Sequence, residues 1–167
     1  MYIAVVLLTM LILPAGSVWL DHAAHPAAAL MLLVGKWFVF WGVGVRLGTA
    51  GLRQMLQPGF TAREIFHMKS DEALLLITEL GVSNVCAGAI GLLSLAAPGF
   101  VLPSALYAAI FYGVAGIRHV VQRGKSFNET LAMVSDLFIA VVLAAFAVFA
   151  ISSAHGAIFT AFTVQAA

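Results

Sequence analysis

Six side chains could do chemistry because apolar sequence surrounds them: Arg46, Glu79, Asn84, Arg118, His119 and Asp136. The segment Glu79-Leu-Gly-Val-Ser-Asn84 lies inside an apolar run from Ala73 to Ala97 that is long enough to cross a bilayer. Gly116-Ile-Arg-His119 and Ser135-Asp136 lie in or beside later runs of the same kind. An ionisable side chain in a membrane span is a functional-site hypothesis whose partner should be named. Glu79 and Asp136 are acids, Arg46 and Arg118 are bases, and they occur on four different runs. Each charge left alone at the bilayer centre would cost about 2.5–3.5 kcal/mol, so pairing inside a bundle is expected, Glu79 with Arg46 or Arg118 and Asp136 with the other. Glu129 and Asp136 are two helical turns apart and share a face. Imidazole is the side chain that ordinarily titrates near neutrality, which makes His119 the proton donor of the set.

This constellation predicts a site in which Glu79 and Asp136 accept, Arg46 and Arg118 supply charge, His119 donates, and Asn84 hydrogen-bonds. Its chemistry suits a small hydrophobic or amphipathic ligand, such as a quinone or a lipid, or a proton relay. Three other readings stay open. The ion pairs could serve only to hold helices in register. The chain could be an accessory subunit of a larger membrane complex, with the glycines and aromatics of its second span as the contact surface. It could be an intramembrane isomerase or hydrolase that uses His119 with Glu79.

The elements that would position these groups follow from composition. The 167 residues are 63% hydrophobic and only 9% charged, against about a quarter charged in a soluble domain. Such a chain cannot cover a water-facing surface, and membrane lipid is its expected partner. A formal charge of +1 with no basic arm excludes a nucleic-acid footprint. One cysteine, Cys86, excludes an internal disulfide.

The fold expected is all-α: a single polytopic transmembrane bundle with spans at 2–20, 27–51, 73–97, 101–121 and 130–152, and a short interfacial helix at 62–69. No Lys or Arg precedes the first apolar run, which favours a retained helix over a cleaved signal. Thr61-Ala-Arg-Glu64 and Ser126-Phe-Asn-Glu129 both read as capping boxes, and Ser70-Asp-Glu72 as the cap of the third span. Pro98-Gly99 leaves a very short loop, so the third and fourth spans should be antiparallel neighbours.

With five spans, Arg46, Arg53, Arg63, Lys69, Arg118, Arg123 and Lys125 all lie in or next to the two loops that share one side. The other side, formed by the first loop, the third loop and the tail from Ser153, has no Lys or Arg. The positive-inside rule then predicts a cytoplasmic N-terminus and an extracytoplasmic C-terminus. On this topology Glu79, Asp136, Arg46, Arg118 and His119 should fall within roughly 10 Å of the cytoplasmic boundary at 1.5 Å rise per residue. Oligomeric state, including a homo-oligomer, stays open.

Weaker constellations are also present. Asp21, His22, His25 and His155 are expected on the extracytoplasmic side, and three imidazoles with a carboxylate could hold copper or zinc. Solvated interfacial histidines are the competing explanation. The aromatics of the second span, Trp37, Phe38, Phe40 and Trp41, could stack on a quinone ring or simply fill the core. There is no phosphate loop, no HExxH and no recognisable nucleophile triad.

Several stretches carry a resemblance: Arg46-Leu-Gly-Thr-Ala-Gly-Leu-Arg53-Gln, Phe60-Thr-Ala-Arg-Glu-Ile-Phe66, Glu79-Leu-Gly-Val-Ser-Asn84, Ala115-Gly-Ile-Arg-His119 and Glu129-Thr-Leu-Ala-Met-Val-Ser-Asp136. Together, over about residues 36 to 145, they resemble an uncharacterised family of small bacterial membrane proteins defined by a domain of unknown function. More distantly they resemble the DoxX-like four-helix membrane proteins. The resemblance implies a polytopic bundle in the bacterial inner membrane and, for the DoxX-like group, a link to quinone or thiol redox systems. It brings no catalytic residues with it, and this chain has no thiol pair.

Overall fold

The protein was analysed as a computed structural model, which describes the backbone of residues 2–165 and the side chains of residues 3–64 and 66–154. Five helices among the described residues are long and apolar enough to cross a membrane: α1 (Ile3–Ala24), α2 (Leu30–Leu56), α4 (Ala73–Leu93), α5 (Pro98–Val121) and α6 (Phe127–Ala154). The helix of α6 continues in backbone to Gln165, so the segment expected as a tail is helical. A short helix, α3, begins at Pro58 and winds on through wide π-type turns over Thr61–Ile65. The architecture is therefore the multi-pass α-helical bundle that composition demanded, since helices satisfy every backbone donor where no water is available.

Local chemistry sets the boundaries, and several differ from expectation. The second span runs to Leu56, beyond the expected end at Gly51, because Arg53 and Gln54 are tolerated at a helix end that leaves the apolar layer. The interfacial helix starts earlier and ends earlier than 62–69. Pro58 occupies the first helical turn, where a missing N–H is harmless, and the helix stops at Ile65. Thr61 consequently sits inside that helix and caps nothing. Ahead of α4, the Ser70 Oγ accepts the Glu72 N–H at 3.2 Å, while Asp71 pairs with Arg63 at 3.0 Å. The capping box at Ser126 does form. The Ser126 N–H donates to Glu129 Oε2 at 2.6 Å and the Glu129 N–H donates to Ser126 Oγ at 3.2 Å.

Small residues decide the packing. α4 turns Ile77, Gly81, Asn84, Gly88 and Gly91 inward against the second half of α2. A Cβ placed on Gly88 would lie 2.5 Å from the Gly48 Cα, and one on Gly91 would lie 2.6 Å from the Gly44 N. The two backbones are in direct contact, as small residues permit between membrane helices. α5 turns Ala105, Ala108, Tyr112 and Gly116 inward and packs chiefly on α6. Both helices thus use their small faces on other partners. The expectation that α4 and α5 would lie side by side is corrected: the tight Pro98 turn joins them, but they touch only sparsely. α1 closes the bundle against the first half of α2.

The core links these pairs through Phe38, Val39, Val43, Ile139, Leu143 and Phe146. α2 carries π-helical turns over Val39–Val45. Such turns free a backbone carbonyl, and the Tyr112 hydroxyl donates to Gly42 O at 2.7 Å.

Candidate functional site

The six polar groups do not converge on one interior point. The faces they occupy explain why: Glu79 and Arg118 are exposed, while Asn84 and His119 are buried. His119 and Arg118 lie within roughly 5 Å of the basic end of α5, and Glu79 lies about 9 Å from the start of α4. Arg46 and Asp136 lie about 15 Å and 14 Å from the basic ends of α2 and α6, because α2 reaches farther than expected and α6 starts earlier. These helix ends are not level: a Cβ on Gly116 would lie 3.2 Å from the Leu137 N, so Asp136 stands within about one turn of His119 in height.

Arg46 and Asp136 come within electrostatic range of one another. Arg46 on α2 and Asp136 on α6 are both partly buried, and the guanidinium is the charge that acts on the Asp136 carboxylate. Opposite charges near the bilayer centre are mutually stabilising there because neither can reach water cheaply.

Asn84 is buried in the glycine face of α4 and donates through Nδ2 to Gln54 Oε1 of α2 at 2.8 Å. This is a polar tie between helices and lies apart from the charge pair. Glu79 is exposed on the opposite side of α4, beside Leu75, Leu76 and Val82, and has no ion pair among the described residues. Arg118 is exposed on α5.

His119 is buried in the last turn of α5, and the nearest charges acting on it are those of Glu129, Arg118 and Lys125. Its Nδ1 is buried without a hydrogen-bond partner, while Glu79 is exposed on another helix.

Two polar centres replace the expected one, and the sequence signalled each only faintly. At the basic end, Glu129 has 0% relative exposure, and its carboxylate is hydrogen-bonded by three residues from two loops. The contacts are the reciprocal Ser126 cap, the Gln122 amide donating to Oε1 at 2.7 Å, and a hydrogen bond with His67 Nε2 at 3.1 Å. His67 is the non-glycine residue with positive φ, 52°, among the described residues. At the other end, Asp21 Oδ2 accepts from Lys36 Nζ at 2.7 Å and from Trp37 Nε1 at 2.8 Å, while its Oδ1 meets His25 Nδ1 at 2.9 Å. Lys36, a lone cation in the second span, therefore answers to Asp21 rather than to the acids of the other end.

Three of the four residues of the metal constellation have described side chains. Asp21 and His25 are in contact, His22 Nδ1 is buried without a hydrogen-bond partner, and His155 lies outside the described side chains. No group of three metal-ligating side chains forms among the described residues.

The sparse contact between α4 and α5 leaves a cleft of about 280 Å³. Ser83, Cys86 and Ile90 of α4 face Ser104 and Tyr107 of α5 across it, with Val43 of α2 behind. Ser83, Cys86, Ile90 and Tyr107 are exposed, so the cleft opens on the bilayer side. Ser104 is buried, and its Oγ has no hydrogen-bond partner in the protein. By contrast the hydroxyls of Thr9, Thr78, Ser94 and Ser135 each donate to a carbonyl of the preceding turn. A second cavity of about 310 Å³ sits against Ser17, Asp21, Lys36 and Trp37. Sequence reading missed the cleft; its faint signal was a set of polar-tipped residues on two spans without a polar partner.

Comparison with protein-family models, curated proteins and solved structures finds no match to this chain.

Proposed function

We propose that this is a multi-pass protein of the bacterial cytoplasmic membrane that binds a small hydrophobic or amphipathic molecule dissolved in the bilayer, of quinone or lipid class. The observation that carries the reading is the cleft between α4 and α5, walled by Ser83, Cys86, Ile90 and Tyr107, all of them exposed. The volume lies at the lower end of the small-molecule range, about 300–1,000 Å³. Its lateral opening suits a ligand that arrives through the membrane.

The orientation belongs to the same proposal. Lys125, Arg123, Arg63 and Lys69 cluster at one end of the bundle, so that end faces the cytoplasm. The N-terminus is then cytoplasmic. The resemblance of residues 36–145 to small bacterial membrane proteins supports the bacterial inner membrane as the location.

Arg46 and Asp136 on this reading hold α2 against α6 and keep the bundle behind the cleft rigid. The test is to purify the protein and its Ser83→Phe variant, which fills the cleft from an exposed position, and compare bound small molecules by mass spectrometry. The expected result is a molecule retained by the original protein and lost from the variant. Identical extracts from both would overturn the reading.

A further inference from the structure

We propose that the cleft between α4 and α5 takes a single-chain amphiphile bearing one positive charge, with its chain in the cleft and its cationic head on Glu79. This rests on the cleft reading above and adds the charge and direction of the ligand.

Glu79 is the starting point. Its carboxylate is exposed on the outward face of α4, between Leu75 and Leu76, each more than two-thirds exposed, and Val82. It has no ion pair among the described residues. A carboxylate turned toward acyl chains two turns inside a span is energetically costly, and such groups in membrane proteins pair with something. Within this chain the other intramembrane charges are committed elsewhere: Asp136 feels Arg46, and Lys36 is held by Asp21. Arg118 on α5 stands about 5 Å nearer the basic end than Glu79, within reach of the interface, and makes no ion pair with it.

The second observation is alignment. Glu79, Ser83, Cys86 and Ile90 recur at three- and four-residue intervals, so they form one stripe along α4. Ser83, Cys86 and Ile90 line the cleft, and Glu79 lies one turn below it on the basic side. The stripe falls in polarity from carboxylate to hydroxyl to thiol to alkyl over about 16 Å. An amphiphile in the leaflet on the basic side has the same direction, with its head toward the interface and its chain toward the bilayer centre. The sign of its charge is dictated by Glu79. An anionic lipid would meet the carboxylate, and a neutral one would leave it unpaired.

The test uses the full-length protein in nanodiscs of zwitterionic phosphatidylcholine, with protein-free nanodiscs as background. Three radiolabelled probes share one chain: dodecyltrimethylammonium, dodecanol and dodecyl sulfate. The expected result is saturable binding with the cation at least tenfold tighter than either other probe. Glu79→Gln should remove that preference, and Ser83→Phe should abolish saturable binding of every probe. Helical circular dichroism and elution volume verify folding; if either variant fails them, Glu79→Ala or Ala87→Leu replaces it. Equal affinity for cation and alcohol, or a preference that survives Glu79→Gln, overturns the charge assignment. The cleft reading stands in that event if Ser83→Phe still abolishes binding. Absence of saturable binding for all three probes in the original protein overturns both.

Discussion

Glu129 and His67 join two loops that lie far apart in sequence. His67 Nε2 and Glu129 Oε2 are 3.1 Å apart, and the same carboxylate caps its own helix through Ser126. The connection between α3 and α4 is thereby fastened to the start of α6. It holds His67 at a φ of 52°, a conformation that a residue with a Cβ adopts only when surrounding contacts enforce it.

Breaking that fastening should loosen the loop before it unfolds the bundle. Hydrogen bonds to a charged group contribute about 1.5–3 kcal/mol each. Glu129→Gln keeps the shape and weakens the contacts. It should speed proteolytic cleavage within residues 66–72 by roughly tenfold or more, given the size of one such bond. His67→Gly should relieve the backbone strain but lose the tie, giving a smaller increase. Cleavage rates in detergent micelles check both.

The backbone contact between α2 and α4 makes a sharp prediction. At Gly88 a Cβ would lie 2.5 Å from the Gly48 Cα, and backbone cannot move aside as a side chain can. Gly88→Val should separate the helices and destabilise the fold by about 1–3 kcal/mol or more, the usual range for overpacking. Gly16→Ala, where nothing lies within 4 Å of the added Cβ, serves as the neutral comparison. Denaturant or steric-trapping titration measures the difference.

Arg46 and Asp136 should be coupled. Asp136→Asn leaves a guanidinium near the bilayer centre without its carboxylate, and Arg46→Gln does the converse. An uncompensated charge there costs about 2.5–3.5 kcal/mol. The double variant should lose less stability than the two single losses summed, as contacting groups do in a mutant cycle. Strict additivity would show that the two charges act independently.

Topology can be read with cysteine chemistry. In a Cys86→Ser background, Arg123→Cys should react with an impermeant maleimide only from the cytoplasmic side, and Gly99→Cys only from the opposite side. Arg123 is an exposed loop residue and Gly99 is exposed in the first turn of α5, at the opposite end of the bundle. The reverse labelling pattern would invert the orientation.

Which features were legible before folding follows from what one helix can express alone. Five spans, the Ser126–Glu129 cap and the gathering of Arg and Lys at alternate loops depend on composition and on contacts a few residues long. Partner choice depends on which face each helix presents and on where each helix ends. Glu79 and Asn84 are five residues apart on one span, yet one is exposed and the other is buried against Gln54. Arg46 and Asp136 are half-buried, whereas Glu79 and Arg118 are exposed on α4 and α5. The glycine seam drew α4 onto α2 and left the cleft beside α5, a vacancy between two surfaces that no single stretch of sequence encodes. Lipid solvation and helical hydrogen bonding determined the class of molecule from the chain itself. Steric fit among small residues, which exists only once helices meet, decided where its polar groups point.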